Sequence, residues 1–228
     1  MLRGVFFDMD GTIADSLQFC YRAFQIALEP FLQQEVSIAE LVAVSGITEE
    51  GMLRRLVPSA CYEEARQRWY DTHRRLHAAM NPAPIPGMSE LLHTLHDHAI
   101  PLALITGRGE TSLSHSLDQF DMHGLFGVVE TGDLDRSKKT ECLLRAAAKL
   151  CLSPTDVVYV GDSPGDIASA HEAGMSAAAA LYASPEFLQP DAVLAEHPEH
   201  SFYRVADLAD YLYESCGISK DSHVALQK

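Results

Sequence analysis

Asp8 and Asp10 are the residues of this chain whose type and spacing most directly suggest chemistry. They stand two residues apart in Asp8-Met9-Asp10-Gly11-Thr12, at the end of an apolar run from Leu2 to Phe7. That run reads as a buried strand, and a period of two sends both carboxylates the same way. The glycine that follows lets the chain turn away sharply. Two acids held this close repel one another, so the pair needs a cation or a shared proton. One carboxylate can then serve as a nucleophile, the other as a proton carrier, with a metal ion beside them. A calcium loop does not fit, because it wants its glycine at the sixth position and Gly11 is at the fourth.

Three further clusters fall at comparable places. Thr106-Gly107 follows the apolar stretch Leu102 to Ile105. A hydroxyl with adjacent backbone N–H groups at a strand end can hold an anionic oxygen. Gly107-Arg108-Gly109 invites a dinucleotide reading, but the third glycine of that fingerprint is missing. Lys138 and Lys139 stand before a predicted helix, where either can neutralise a phosphoryl group and the acids. Gly161-Asp162-Ser163-Pro164-Gly165-Asp166 follows the apolar run Val157 to Val160. A helical turn starting there places Asp162 and Asp166 on one side, a ligand set suited to Mg²⁺. Taken together, acid, hydroxyl and acid each occur at a strand's carboxyl end, where open parallel sheets bind their ligands.

The elements that must position these groups are legible in the hydrophobic periodicity. Residues 15 to 80 read as helices only, over Leu17 to Leu28, from Ser37 (capping-box spacing with Glu40), from Thr48 to Pro58, and over Cys61 to Met80. A proline-rich break, Asn81 to Gly87, closes that block. Helices are then expected at Ser89–His98, Glu110–Gln119, Lys139–Leu150, Ile167–Ala173 and Val205–Ser215. Strands are expected at Leu102–Thr106, Val128–Glu130, Val157–Gly161 and Ser176–Leu181, which makes five with the first. Apolar strands alternating with helices define an α/β fold, a doubly wound parallel sheet of Rossmann-like type, here with an inserted helical cap domain. The division is 1–14 and 86–216 for the core, 15–85 for the cap and 217–228 for a flexible polar tail.

Composition narrows the function classes. The chain has 228 residues and a formal net charge of -15, with no basic stripe. That disfavours a nucleic acid or an anionic membrane surface as partner. A small anionic substrate is still compatible, because a local cation inverts the local field. No apolar run is long enough to span a membrane, and Asp8 and Asp10 interrupt any signal-peptide core. The five cysteines form no C-x-x-C pair, which fits reduced thiols in a cytoplasmic protein. His73 and His77 have the i, i+4 spacing of helical zinc ligands, but the glutamate of H-E-x-x-H is absent, and a solvated helix face is expected there. His93, His96 and His98 are expected at the surface. Arg54 and Arg55, in the cap, are candidate substrate contacts as well as surface residues.

The ordered set Asp8-Met9-Asp10-Gly11-Thr12-Ile13-Ala14-Asp15-Ser16, Thr106-Gly107, a lysine at 138 or 139, and Gly161-Asp162 with Asp166 resembles the haloacid dehalogenase superfamily, in its phosphoglycolate phosphatase-like, helical-cap subgroup. The resemblance covers about Leu2 to Ser215. It implies an Mg²⁺-dependent phosphatase acting on a small phosphorylated metabolite, as a monomer or homodimer. Asp8 would attack phosphorus and carry an aspartyl-phosphate, and Asp10 would serve as acid and then base. Thr106 and Gly107 would bind a phosphoryl oxygen, with Lys139 holding charge by similarity to members that lack the subgroup's usual Lys-Pro. Asp8, the Asp10 carbonyl and Asp162 would hold the metal, with Asp166 in support. Asp10 favours phosphoryl transfer over dehalogenation, and the absence of lysine between 15 and 80 disfavours phosphonate cleavage. A phosphosugar mutase is the alternative within the same resemblance. A phospho-acceptor signalling domain uses similar groups, but an acceptor on the first strand followed by a large insert disfavours it.

Overall fold

The computed structural model describes residues 1–32, 34–183 and 189–219. Among these residues six strands form one sheet: β1 (Gly4–Phe7), β2 (Leu102–Ile105), β3 (Val128–Glu130), β4 (Val157–Gly161), β5 (Ser176–Ala180) and β6 (His200–Phe202). Their order is β3-β2-β1-β4-β5-β6, and every neighbouring pair is parallel. The order reverses between β1 and β4, which is the switch point where such sheets bind ligands.

Period-two alternation divides the strands between two buried faces. Val5 and Phe7 pack with Val158 and Val160 under helices α5 (Met88–Asp97), α6 (Glu110–Gln119) and α10 (Val205–Cys216). Phe6, Tyr159, Ala177 and Ala179 face the other way, against α7 (Lys139–Lys149), α8 (Pro164–Glu172) and α9 (Pro190–Ala195). Helices on both faces explain why the strands are continuous apolar runs, with β1, β2 and β4 buried throughout.

Among the described residues, four α-helices precede α5 on the way from β1 to β2: α1 (Leu17–Leu28), α2 (Ile38–Val44), α3 (Glu49–Leu56) and α4 (Tyr62–Met80). They enclose their own apolar cluster, which includes Phe24, Leu28, Leu41, Leu53 and Trp69. Ser37 and Glu40 form the expected capping box, and the Thr48 side chain caps α3. The chain leaves and returns side by side, with the Ile85 N–H donating to the Ile13 carbonyl at 2.9 Å.

Some expectations need correction. α8 begins at Pro164, three residues before Ile167, because Ser163 and Asp166 form a second capping box. α9 and the sixth strand are additional. β6 is only three residues, His200-Ser201-Phe202, of which Phe202 alone is buried, so it carries almost no periodic signal. Gly217 and Ile218, within the stretch expected as a flexible tail, are placed on the core: Gly217 ends α10 in the left-handed conformation, and Ile218 is buried, its N–H donating to the Tyr213 carbonyl. Residues 220–228 lie outside the described residues.

Candidate active site

Three adjacent strands deliver the site. Asp8 follows β1, Thr106 follows β2 and Asp162 follows β4, and β1 lies between the other two. Asp8, Asp162 and Asp166 each offer a carboxylate oxygen within 4.8 Å of the others. Lys139, the first residue of α7, donates from Nζ to Asp8 Oδ1 at 3.0 Å and to Asp166 Oδ1 at 2.5 Å. Lys138 instead turns to Asp133, at 2.5 Å from its Oδ2. The geometry thus puts Lys139, of the two lysines, on the aspartates.

Local backbone demands make this convergence possible. Gly11 has φ of +80°, and a Cβ there would lie 2.1 Å from Asp162 Oδ2. Both facts require glycine, and together they bring the loop after β1 under the Asp162 carboxylate. Gly161 has the same function behind Asp166, whose Cβ would sit 2.4 Å from an added methyl group.

The charges are out of balance. Burial pushes the Asp8 carboxyl up to about 7, with Asp166 and Asp10 adding repulsion and Lys139 opposing. Burial, then Asp166 and Asp8, raise Asp162 well above the carboxylate range. Asp166 is the exception. Burial works against its charge, but Lys139, Ser163 and the Tyr159 hydroxyl (2.9 Å) outweigh it and hold the carboxyl low. Lys139 is in turn held firmly protonated by Asp166 and Asp8, against the cost of its own burial. Three carboxyls around one ammonium can ionise together only with further positive charge beside them, which suits a hard divalent cation with oxygen ligands.

Asp10 is turned elsewhere. Arg108 donates from Nε to Asp10 Oδ2 at 2.8 Å and from Nη2 to Oδ1 at 2.5 Å, and Ser16 donates to the same Oδ1. Burial opposes the charge of Asp10, but Arg108, Ser16 and Cys20 together hold the carboxyl below its usual range. Arg108 is the residue that sequence reasoning passes over. Its place two positions after Thr106 was visible, but a pairing across 98 residues carries no local signal. Thr106 is buried, with its Oγ1 accepting from the Arg108 N–H at 3.2 Å.

The α1–α4 block closes over this edge through Glu49. The buried carboxylate accepts from the Gly109 N–H at 2.7 Å and from the Ser112 hydroxyl at 2.5 Å. The Thr48 N–H donates to the Asp133 carbonyl at 3.0 Å. Arg54 is not part of the cluster: it is exposed on α3, with its guanidinium 5.3 Å from the Tyr62 ring centroid. Arg55 is also exposed and donates to the Asp135 carbonyl. His73 and His77 reverse the expectation of a solvated face. Both are buried, edge-on to Phe19, with His73 also tilted against Trp69 and stacked on His115, because α4 is covered by α1 on one side and α6 on the other. His73 Nε2 has no hydrogen-bond partner among the described residues. The five cysteines are free.

A parallel α/β sheet with carboxylates, a hydroxyl and a lysine at its switch point defines an enzyme that works at the carboxyl edge of the strands. The chain belongs to the haloacid dehalogenase-like hydrolase family, whose model matches residues 5–180. It is 30% identical to a phosphoglycolate phosphatase of Cereibacter sphaeroides over 185 residues, covering 75% of this chain and 82% of that protein. The phosphoglycolate phosphatase of Escherichia coli is 25% identical over 222 residues, covering 84% and 88%. A hydrolase from Pseudomonas syringae shares the fold with a TM-score of 0.76 at 19% identity, covering 93% of this chain and 98% of that one.

Proposed function

We propose that this chain is a phosphatase that hydrolyses a small phosphorylated metabolite through an aspartyl-phosphate on Asp8. Family membership supports the reaction class, and the relatives named as phosphoglycolate phosphatases support the phosphate ester. The observation that carries the reading is the buried Asp8–Lys139–Asp166 contact with Asp162 alongside.

The steps follow from the groups. An Asp8 oxygen attacks phosphorus while the bond to the leaving oxygen breaks. Thr106 Oγ1 and the Gly107 N–H bind phosphoryl oxygens, and Lys139 offsets their charge and orients Asp8. Asp10 gives a proton to the leaving oxygen, then takes one from the water that releases phosphate from Asp8. Residues 15–85 act as the cap that excludes bulk water, with residues 1–14 and 86–216 as the catalytic core.

The uncompensated charge on Asp8, Asp162 and Asp166 fits Mg²⁺, which Asp8, the Asp10 carbonyl and Asp162 would hold with Asp166 in support. When bound, the ion supplies electrostatic stabilisation of the transferring phosphoryl group. A cytoplasmic location and a monomer or homodimer belong to the same proposal. Among the described residues no helix is long and apolar enough to cross a membrane.

The test is inorganic phosphate release from a panel of phosphoglycolate, sugar phosphates, nucleotides and pyrophosphate, with and without Mg²⁺. Continued Mg²⁺-dependent release over many turnovers is expected. Release that stops after one turnover, or isomerised sugar phosphate in place of phosphate, contradicts hydrolysis.

A further inference from the structure

Arg108 lies where the phosphoryl site meets the half of the substrate that is not transferred. On the phosphatase reading above, phosphorus would sit against Asp8, Thr106 and Lys139, with the leaving oxygen on the side of Asp10. Arg108 stands directly behind Asp10, with 4% of its side chain exposed. Its fork holds both Asp10 oxygens, Nη1 donates to Ser116 Oγ at 2.7 Å, and Nη2 approaches Cys20 Sγ of α1 at 3.4 Å.

This arrangement is complete as a salt bridge and incomplete as a working site. With both oxygens accepting from the guanidinium and Oδ1 also from Ser16, the Asp10 carboxyl is held ionised and carries no proton for a leaving group. Releasing it strands a buried arginine, which is costly unless another anion takes the place of the carboxylate. A neutral hydroxyl cannot substitute, because the bidentate contact is charge-assisted on both sides. The buried carboxylate nearby, Glu49, is committed to Gly109 and Ser112. Lys139 is committed to Asp8 and Asp166, while Arg54 and Arg55 lie exposed on α3.

We propose that Arg108 selects the substrate. It binds a second anionic group, carboxylate or phosphoryl, on the leaving half of the phosphate ester, and in that exchange releases Asp10 to take up a proton from solvent and face the leaving oxygen. The inference rests on the phosphatase reading above. It makes Arg108 a specificity-determining residue, and it makes the number of ionic hydrogen bonds the same before and after binding.

The test uses matched ester pairs with Mg²⁺ and the full chain: phosphoglycolate against ethyl phosphate, and propanediol bisphosphate against propanediol monophosphate. p-Nitrophenyl phosphate, whose leaving group needs little protonation, is the common reference. Wild type should favour the anionic member of at least one pair by roughly ten- to hundred-fold in kcat/KM, the range of a hydrogen bond to a charged group. The pair that shows the preference distinguishes a carboxylate from a phosphoryl source. R108M should lose that preference, mainly through KM for the anionic member, while R108K, which keeps the charge and loses the fork, recovers part of it. Wild-type discrimination tests the idea even if R108M does not fold. Turnover of both members at equal kcat/KM by wild type overturns the inference alone. An equal loss on both members in folded R108M also overturns it. No phosphate release from any compound, the reference included, overturns the phosphatase reading and the inference with it.

Discussion

Gly11 and Asp162 cannot be changed independently, because the carboxylate occupies the space a side chain would need. Gly11→Ala is expected to abolish activity and to destabilise the fold, since the strain at φ +80° adds to the clash. Activity within two-fold of wild type would contradict this. Asp162→Asn is expected to do the opposite to metal-free stability. It removes a carboxyl that the metal-free fold must keep protonated against burial and the neighbouring Asp166 and Asp8, so the metal-free melting temperature should rise, by about 2–4 °C if the gain is about 1 kcal/mol. The same variant should lose the stabilisation that Mg²⁺ gives wild type. An unchanged Mg²⁺-induced shift in Asp162→Asn would exclude this residue as a ligand. The residue types at strand ends pointed to these acids, because each follows an apolar run. Arg108 was illegible because its meaning lies in a partner distant along the chain.

The elements explain which expectations held. Helices α1 and α3 to α7 have bounds within about two residues of those read from periodicity and caps, and α2 starts at its expected cap, because Ser37, Thr48 and the proline break at 81–87 punctuate them clearly. β6 escaped because three residues with one buried side chain have no period. His73 and His77 were misread because a polar residue type does not report that a second helix covers its face. That burial has a consequence. Burial first, then Arg108, His77 and His115, press the His73 imidazole down to about 3. The unfolded chain therefore takes up a proton near pH 6.5 that the folded α4 refuses. Stability attributable to His73 is full above pH 6.5 and falls as pH drops toward 3. His73→Phe, which keeps the ring against Phe19 and Trp69, should flatten that acid limb in urea melts; an unaltered limb would show that His73 is not its source. Glu49 ties α3 to the start of α6. Glu49→Ala leaves two buried donors unpaired, at a cost of about 1–3 kcal/mol each before water enters. Faster hydrogen exchange at Gly109 should accompany it, and unchanged protection there would mean that the contact does not hold the α1–α4 block closed.

At the scale of the whole molecule, the parallel order β3-β2-β1-β4-β5-β6 turns residues distant in sequence into one cluster at the switch point. The alternation of strands and helices made that architecture legible without any coordinates, while the closeness of the cap to the sheet edge was not, because helix-to-sheet docking leaves no periodic trace. The cluster also sets a global pH dependence opposite in sign to that of His73. The folded-state pKa of Asp8, about 7, lies above its ordinary value of 3.8, so metal-free stability should fall as pH rises from about 4 through 7. Saturating Mg²⁺ should remove that decline, and a decline of the same size with Mg²⁺ present would contradict the charge imbalance. The nucleophile is tested most directly by acid-quenching the enzyme during turnover of a substrate labelled in its phosphoryl group, then locating the label by peptide mass spectrometry. The account predicts a base-labile phosphoryl group on Asp8 in wild type, and neither label nor turnover in folded Asp8→Asn. Steady hydrolysis by Asp8→Asn, or label carried on another residue, would contradict it.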